Sequence, residues 1–403
     1  MTRFLQNWFL DFNDLGKPGG FMASIRLENI TKKFGDTTAI NNLNLEIKDG
    51  EFFCVLGPPG AGKTTLLRLI VGLEVADEGN IYIDDVLVNT VHPSQRDISM
   101  IFQNLALYPD KTVFDNIAFP LRQRKIDEET VKLKVVDVAK QLKIDWMLKK
   151  LPSQLSGGER QRVAIGRAII RQPKAYLMDE PLANLDALLR LEMRISLKKL
   201  QSDLKETFAY VTHDQVEALS MGDRIAILNE GVLQQVDDPE TIYRFPKHMF
   251  AATMLGNPPM NFMGCLLETE NHKTSLRHEV FSAVVDNPDL TGVLKSKVSG
   301  ADIVIGIRPE DITIYMDRPD RDDLIESEIF VSEPLGNETI VDIKFGKNII
   351  KVIADADFPG VRGDKIWIGF DSTKLHLFHK ETEELLFHAS DNALIQISPS
   401  GQK

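Results

Sequence analysis

Short unbroken apolar runs, glycine-rich turns and amphipathic stretches alternate along the first half of the chain. Phe52-Phe53-Cys54-Val55-Leu56, Ala175-Tyr176-Leu177-Met178 and Thr207-Phe208-Ala209-Tyr210-Val211 have the length and continuity of strands buried on both faces. Ile25 to Ile30 alternates apolar and polar residues, and Asn44-Leu45-Glu46-Ile47-Lys48 reads as a second strand. Turn signals follow, at Gly35-Asp36 and Asp49-Gly50, so this start predicts an antiparallel sheet beside an α/β core. Thr65 to Val71 predicts a helix that Gly72 is placed to end. Thr112 and Asp115 are spaced as a capping box at another helix start. From Asp127, Val131, Val135, Val138 and Leu142 recur at helical spacing, an apolar stripe read as core. Residues of roughly 104–155 therefore predict a helical insertion. After Gly256-Asn257-Pro258-Pro259, read as a linker, the period becomes two: Val341/Ile343/Phe345, Ile350/Val352/Ala354 and Ile366/Ile368/Phe370. That pattern predicts a small all-β domain.

Composition adds bounds. A chain of 403 residues implies two or three domains, and 43% hydrophobic with 26% charged residues is a globular balance. No apolar run is long enough to span a bilayer, so work at a membrane requires a partner with spanning helices. A net charge of −12 argues against a general nucleic-acid binder. Two cysteines, Cys54 and Cys265, without a CxxC pair, point to a reduced cytosolic setting. Residues 1–21, with Phe4, Trp8, Phe9 and Phe12, read as an extension ahead of a natural start at Met22. They lack the form of a secretory signal, and a small aromatic contact element is the other reading.

Candidate chemistry starts at Gly57-Pro58-Pro59-Gly60-Ala61-Gly62-Lys63-Thr64-Thr65, a strand–glycine loop–helix that fits the phosphate-binding loop. Its glycines permit a cramped backbone that aims N–H groups at phosphate oxygens, and the helix adds its positive end. Lys63 supplies charge to the outer phosphates, and the Thr64 hydroxyl is a Mg²⁺ ligand candidate. Pro58 and Pro59 have no N–H, so donors come from Gly60 onward. Leu155-Ser156-Gly157-Gly158-Glu159 opens a helix that can serve as an anion site or as an ordinary cap. Asp179-Glu180 ends a buried strand: Asp179 is placed to hold Mg²⁺, and Glu180 to polarise a water for attack on a γ-phosphate. His213 follows another strand, on the same expected rim, and Thr212 to Gln215 has capping-box spacing. Gln103 is an amide at a strand end, and Phe34 is either a base-stacking ring or a core residue.

Taken in order, Phe34, GPPGAGKTT, Gln103, LSGGE, LMDEP, Asn184-Leu185-Asp186 and His213 resemble the ATP-binding-cassette ATPases over about residues 22–260. The resemblance implies a P-loop NTPase cassette with a RecA-like core, an antiparallel β subdomain and a helical subdomain at about 104–170. It implies that Phe34 stacks on adenine, and that Gln103 senses the γ-phosphate and Mg²⁺ and meets the transport partner. It further implies that Ser156, Gly157, Gly158 and Glu159 bind the nucleotide of another protomer. Asp186 then lies in the loop crossing that interface, and His213 contacts the γ-phosphate. Glu180, His213 and Gln103 are the expected catalytic groups, and Thr64, Gln103 and Asp179 the metal ligands. Departures from the family pattern are Glu159 for glutamine, Pro59 for serine and Ala183 for serine. They bear on signature affinity and remove no catalytic group.

Asn257-Pro258-Pro259-Met260-Asn261-Phe262, Gly306-Ile307-Arg308-Pro309-Glu310-Asp311 and Lys374-Leu375-His376-Leu377-Phe378 resemble the accessory domain of maltose-type import ATPases. That resemblance implies an OB-type domain over 257–403, after a cassette at 22–256, with a role in dimer contact and regulation. The expectation is an ATPase subunit on the cytoplasmic face of a membrane, using ATP and Mg²⁺. A homodimer, or a pair with a closely similar ATPase, is expected to dock on two permease subunits served by a solute-binding protein, without nucleic acid. Sugars or polyols are the expected solutes. Polyamine, iron, sulfate or phosphodiester uptake, and a soluble cassette protein acting on nucleic acid, are the alternatives.

Overall fold

The computed structural model describes residues 23–270, 273–286, 291–292, 294, 302–388 and 395–400. Residues 1–21, with their aromatic cluster, lie outside the described residues. The chain divides into two compact units, one ending at Leu233 and the other beginning at Gln234.

The first unit runs β1 (Ile25–Phe34), β2 (Thr37–Ile47), β3 (Phe52–Leu56), α1 (Lys63–Val71), β4 (Glu78–Ile83), β5 (Val86–Leu87) and β6 (Ile98–Ile101). It continues through α2 (Val113–Gln123), α3 (Glu128–Gln141), α4 (Gly157–Ile169), β7 (Ala175–Asp179), α5 (Ala187–Leu204), β8 (Thr207–Thr212), α6 (Gln215–Met221) and β9 (Arg224–Asn229). The apolar runs form parallel strands in the order β9-β3-β8-β7-β6. Every residue of β3, β7 and β8 is buried, which is why these strands read as continuous apolar runs without alternation. The expected antiparallel sheet is four-stranded, β2-β1-β4-β5. Its second strand starts earlier than the sequence pattern predicts, at Thr37, because pairing with β1 extends to Phe34 opposite Thr37.

The helical insertion is built as the spacing predicts. Thr112 and Asp127 cap α2 and α3, accepting the N–H groups of Asp115 and Thr130. Val131, Val135 and Val138 are buried. Asn116, fully buried, donates to the carbonyls of Tyr108, Lys111 and Thr112 and so pins the loop ahead of α2. One cap differs from expectation. Asp214, not Thr212, caps α6, accepting the N–H groups of Val216 and Glu217. Thr212 turns inward to Glu217 instead.

β10 (Val232–Asp237) carries the chain across the division, and α7 (Pro239–Arg244) and α8 (Met249–Met254) follow. Apart from short helical turns such as Pro309–Asp311 and Ser372–Lys374, the elements that follow are strands: β11 (Asn261–Glu270), β12 (Lys273–Arg277), β13 (Phe281–Val285), β14 (Asp302–Ile307), β15 (Ile312–Tyr315) and β16 (Ile325–Pro334). β17 (Glu338–Phe345), β18 (Asn348–Asp355), β19 (Lys365–Phe370), β20 (His376–His379), β21 (Leu385–His388) and β22 (Ile395–Pro399) complete the set. They form one sheet ordered β21-β20-β14-β11-β12-β13-β22 and another ordered β15-β19-β16-β17-β18. Phe281, Ile303 and Ile305 of the first share a core with Ile329, Ile343 and Ile368 of the second. The punctuation at 256–259 lies inside this unit. Arg308, 3.6 Å above the Tyr243 ring, donates to the carbonyls of Tyr243 and Leu255, and His376 Nε2 donates to the Arg244 carbonyl at 2.9 Å.

Candidate active site

Parallel strands all point their carboxyl ends one way, so β3, β8, β7 and β6 deliver the Gly57 loop, His213, Asp179-Glu180 and Gln103 to one rim. The loop is held tightly. Gly57 N–H donates to the Thr212 carbonyl at 3.4 Å, and Ala61 N–H to that of Pro58 at 3.2 Å. Pro59 and Gly60 are exposed at its tip, while Thr64 and Thr65 are half-buried at the helix start. Gly62, the N-cap of α1, has φ +100°, and a Cβ there would lie 2.5 Å from the Ala39 carbonyl oxygen. At Gly57 a Cβ would lie 2.3 Å from the Leu228 carbonyl oxygen, a backbone atom that cannot swing aside. Gly57→Ala is therefore expected to cost about 1–3 kcal/mol and to lower the thermal midpoint. Differential scanning calorimetry checks it, and an unchanged midpoint contradicts the close approach.

Lys63 is 4% exposed. Its ammonium donates to the carbonyls of Gly57 at 2.8 Å and Pro58 at 3.0 Å and sits 3.3 Å from Glu180 Oε1. Glu180 Oε2 lies 3.1 Å from His213 Nδ1 and 3.5 Å from Gln103 Nε2. The Glu180 backbone has φ +44°, a left-handed conformation held by its N–H bond to the Val211 carbonyl at 3.0 Å. One carboxylate thus faces a lysine, a histidine and an amide, and it can accept a proton from a water in their midst.

Thr64 Oγ1 donates to Asp179 Oδ1 at 3.0 Å. Burial raises the Asp179 carboxyl above its ordinary range; the Thr64 hydroxyl opposes this, and the Glu180 charge adds to it. A hydroxyl and a carboxylate side by side are hard oxygen donors. Among the described residues no group of three or more His, Cys, Asp or Glu could hold a metal. That donor set fits Mg²⁺, which keeps water and phosphate oxygens as its other ligands, and does not fit an all-protein cage.

The second cluster lies on α4. The Ser156 hydroxyl accepts the Glu159 N–H at 3.3 Å, and Glu159 Oε2 accepts the Ser156 N–H at 2.7 Å, a capping box that leaves Ser156 exposed. A Cβ on Gly158 would lie 2.1 Å from Leu189 Cδ2, and one on Gly157 3.6 Å from the Asn184 carbonyl oxygen. Asp186 caps α5 by accepting the Leu189 N–H at 3.0 Å. Gly157, Gly158 and the loop before α5 are thus packed together. No hydrogen bond or ion pair among the described residues joins Ser156–Glu159 to the Lys63 cluster. Phe34 ends β1, 46% exposed, with Lys32 Nζ 5.1 Å from its ring centre. Sequence reasoning missed Tyr210, Glu217 and Arg190, which meet behind His213. The alternation placing Tyr210 and Thr212 on one face of a strand was the available signal.

Comparisons with known proteins identify the family of the chain. A family model described as ABC transporter matches residues 40–183, one described as MalK OB fold domain matches 256–312, and one described as TOBE domain matches 305–378. The chain is 44% identical over 375 residues to the trehalose/maltose import ATP-binding protein MalK of Thermococcus litoralis, covering 91% of this chain and 100% of that protein. It is 43% identical over 370 residues to the osmoprotective compounds uptake ATP-binding protein GgtA of Synechocystis, covering 91% and 100%. It is 41% identical over 373 residues to the sn-glycerol-3-phosphate import ATP-binding protein UgpC of Psychromonas ingrahamii, covering 90% and 95%. Among solved structures, the dimeric post-hydrolysis state of the ATP-binding cassette MJ0796 bound to ADP and Pi matches with a TM-score of 0.50 and 34% identity. That match covers 53% of this chain and 98% of MJ0796.

Proposed function

This chain belongs to the ATP-binding-cassette (ABC) transporter family, and from that premise we propose that it is the ATPase subunit of an importer for sugars or polyols. The observation that carries the reading is the Glu180 carboxylate held between Lys63, His213 and Gln103 on a phosphate-loop rim. The solute class rests on the import proteins that align with the chain along nearly all of its length.

The backbone N–H groups from Gly60 onward and the α1 N-terminus bind the phosphates of ATP, and Lys63 turns its charge from Glu180 to the outer phosphates. Thr64, Asp179 and Gln103 would hold Mg²⁺, which would neutralise phosphate charge. Glu180, freed of Lys63, accepts a proton from the attacking water, and His213 meets the γ-phosphate. Phe34 stacks on the adenine. Ser156 to Glu159 and Asp186 complete the site of a second, identical or closely similar protomer. ATP-driven closure of that dimer favours one state of two membrane permease subunits, to which an external binding protein delivers the solute. The cassette is assigned to 22–256 and the accessory OB-type domain to 257–403, with residues 234–256 packing in the second compact unit. No described helix is long and apolar enough to cross a membrane. On this reading the chain attaches at the cytoplasmic face through the permease subunits.

The test is uptake of labelled disaccharides, oligosaccharides and glycerol phosphate in native cells depleted of this chain. Wild-type chain is expected to restore uptake of at least one sugar or polyol and to co-purify with integral membrane subunits, while Lys63→Ala restores no uptake. Full uptake of the whole panel in depleted cells, with no membrane subunit recovered, refutes the importer reading.

A further inference from the structure

The turn that carries His213 is braced from behind by a buried carboxylate. Glu217, 2% exposed, lies in the first turn of α6. Its Oε2 accepts the Tyr210 hydroxyl at 2.8 Å and the Thr212 hydroxyl at 2.7 Å. The Thr212 oxygen in turn accepts the Asp214 N–H at 3.0 Å. Asp214 Oδ1 accepts the N–H groups of Val216 at 2.8 Å and Glu217 at 3.3 Å. The residues on both sides of His213 are therefore fixed through one carboxylate.

Arg190 of α5 closes the frame. Its Nη1 is 3.3 Å from Asp214 Oδ2, and its Nε is 3.9 Å from Glu217 Oε1. Its Nη2 donates to the Leu185 carbonyl at 3.1 Å, directly before Asp186. A carboxylate buried this deeply is costly unless paired and hydrogen-bonded, and here it has two hydroxyl donors and a guanidinium. Burial raises the Glu217 carboxyl, and the Thr212 and Tyr210 hydroxyls and Arg190 oppose that rise.

We propose that Glu217 is a positioning residue for His213, acting through Thr212 and Asp214, and that Arg190 ties the same frame to the loop bearing Asp186. The inference rests on the reading of His213 as the group that meets the γ-phosphate. It adds a reason why that ring stays within reach of Glu180.

A double-mutant cycle on the full chain tests it, reading steady-state ATP hydrolysis. Glu217→Leu is expected to lower kcat about 10-fold with KM for ATP changed by less than about twofold. In a His213→Ala background the same substitution should add less than about a twofold loss, because the group it positions is gone. Glu217→Gln, which keeps an acceptor oxygen for both hydroxyls, should recover most of kcat. Equal losses in both backgrounds, a folded Glu217→Leu with wild-type kcat, or an effect confined to KM overturns the proposal. If Glu217→Leu fails to fold, Thr212→Val carries the same cycle, since it removes only the hydroxyl between Glu217 and Asp214. Wild-type turnover in His213→Ala alone is a different failure: it removes the role of His213 itself.

Discussion

Glu180→Gln is expected to lower steady-state ATP hydrolysis by roughly 10²-fold or more while ATP binding persists. The substitution keeps the size and branching of a side chain that contacts Lys63, His213 and Gln103, so the rim stays assembled. What it removes is the one charge there able to take a proton from water. It also releases Lys63 from an anion 3.3 Å away, so affinity for ATP should hold or rise. The backbone at Glu180 supports the assignment. Its φ of +44° costs a residue with a Cβ about 1–2 kcal/mol, a strain kept where the side chain must point at one place. Titration calorimetry with ATP and a phosphate-release assay separate the two effects. Near-normal turnover in Glu180→Gln removes Glu180 from the chemistry.

Much of that rim was legible in the sequence, for a physical reason. A strand buried on both faces is mostly apolar along its length, so the glycine loop after β3 and the polar residues at the carboxyl ends of β7 and β8 mark where each strand reaches the rim. Gly62 was legible as well, because its positive φ and the approach of the Ala39 carbonyl leave room for nothing larger. The frame behind His213 was not. Glu217 reads as an ordinary polar position of a short helix, and only the tertiary fold puts Tyr210 and Thr212 over it. For the same reason the cap spacing at Thr212 misled: the hydroxyl found a buried carboxylate, and Asp214 took the helix end. In the second unit the period-two pattern marked individual strands but not their partners. β13 pairs with β22 across most of that unit's sequence, a register set by packing and not by a turn. The Gly256–Pro259 punctuation read as a linker, yet Arg308 and His376 hold the segment before it by its carbonyls. No local pattern announces such contacts.

The other large effect follows from the Lys63 cluster and the Ser156–Glu159 helix start. Within one chain the Lys63 cluster and Ser156–Glu159 are separate constellations, and the loop that leaves Glu180 packs its Asn184 carbonyl against Gly157. On the proposed function each cluster binds the same polyphosphate, and a complete site is expected to take the loop of one protomer and the α4 start of another. Lys63→Ala removes the cation from the first. Ser156→Arg removes the cap of α4, at a cost of about 1 kcal/mol, and fills the exposed helix start with a long side chain. Either variant alone, paired with itself, has no intact site. Equal amounts mixed without nucleotide and allowed to exchange form about half mixed dimers by random pairing, each with one intact and one doubly damaged site. About a quarter of the wild-type number of complete sites should then appear. Labelled ATP retained through rapid gel filtration counts them. Retention in the mixture above both parents is the expected result; a mixture no better than either parent means that each chain completes its own site.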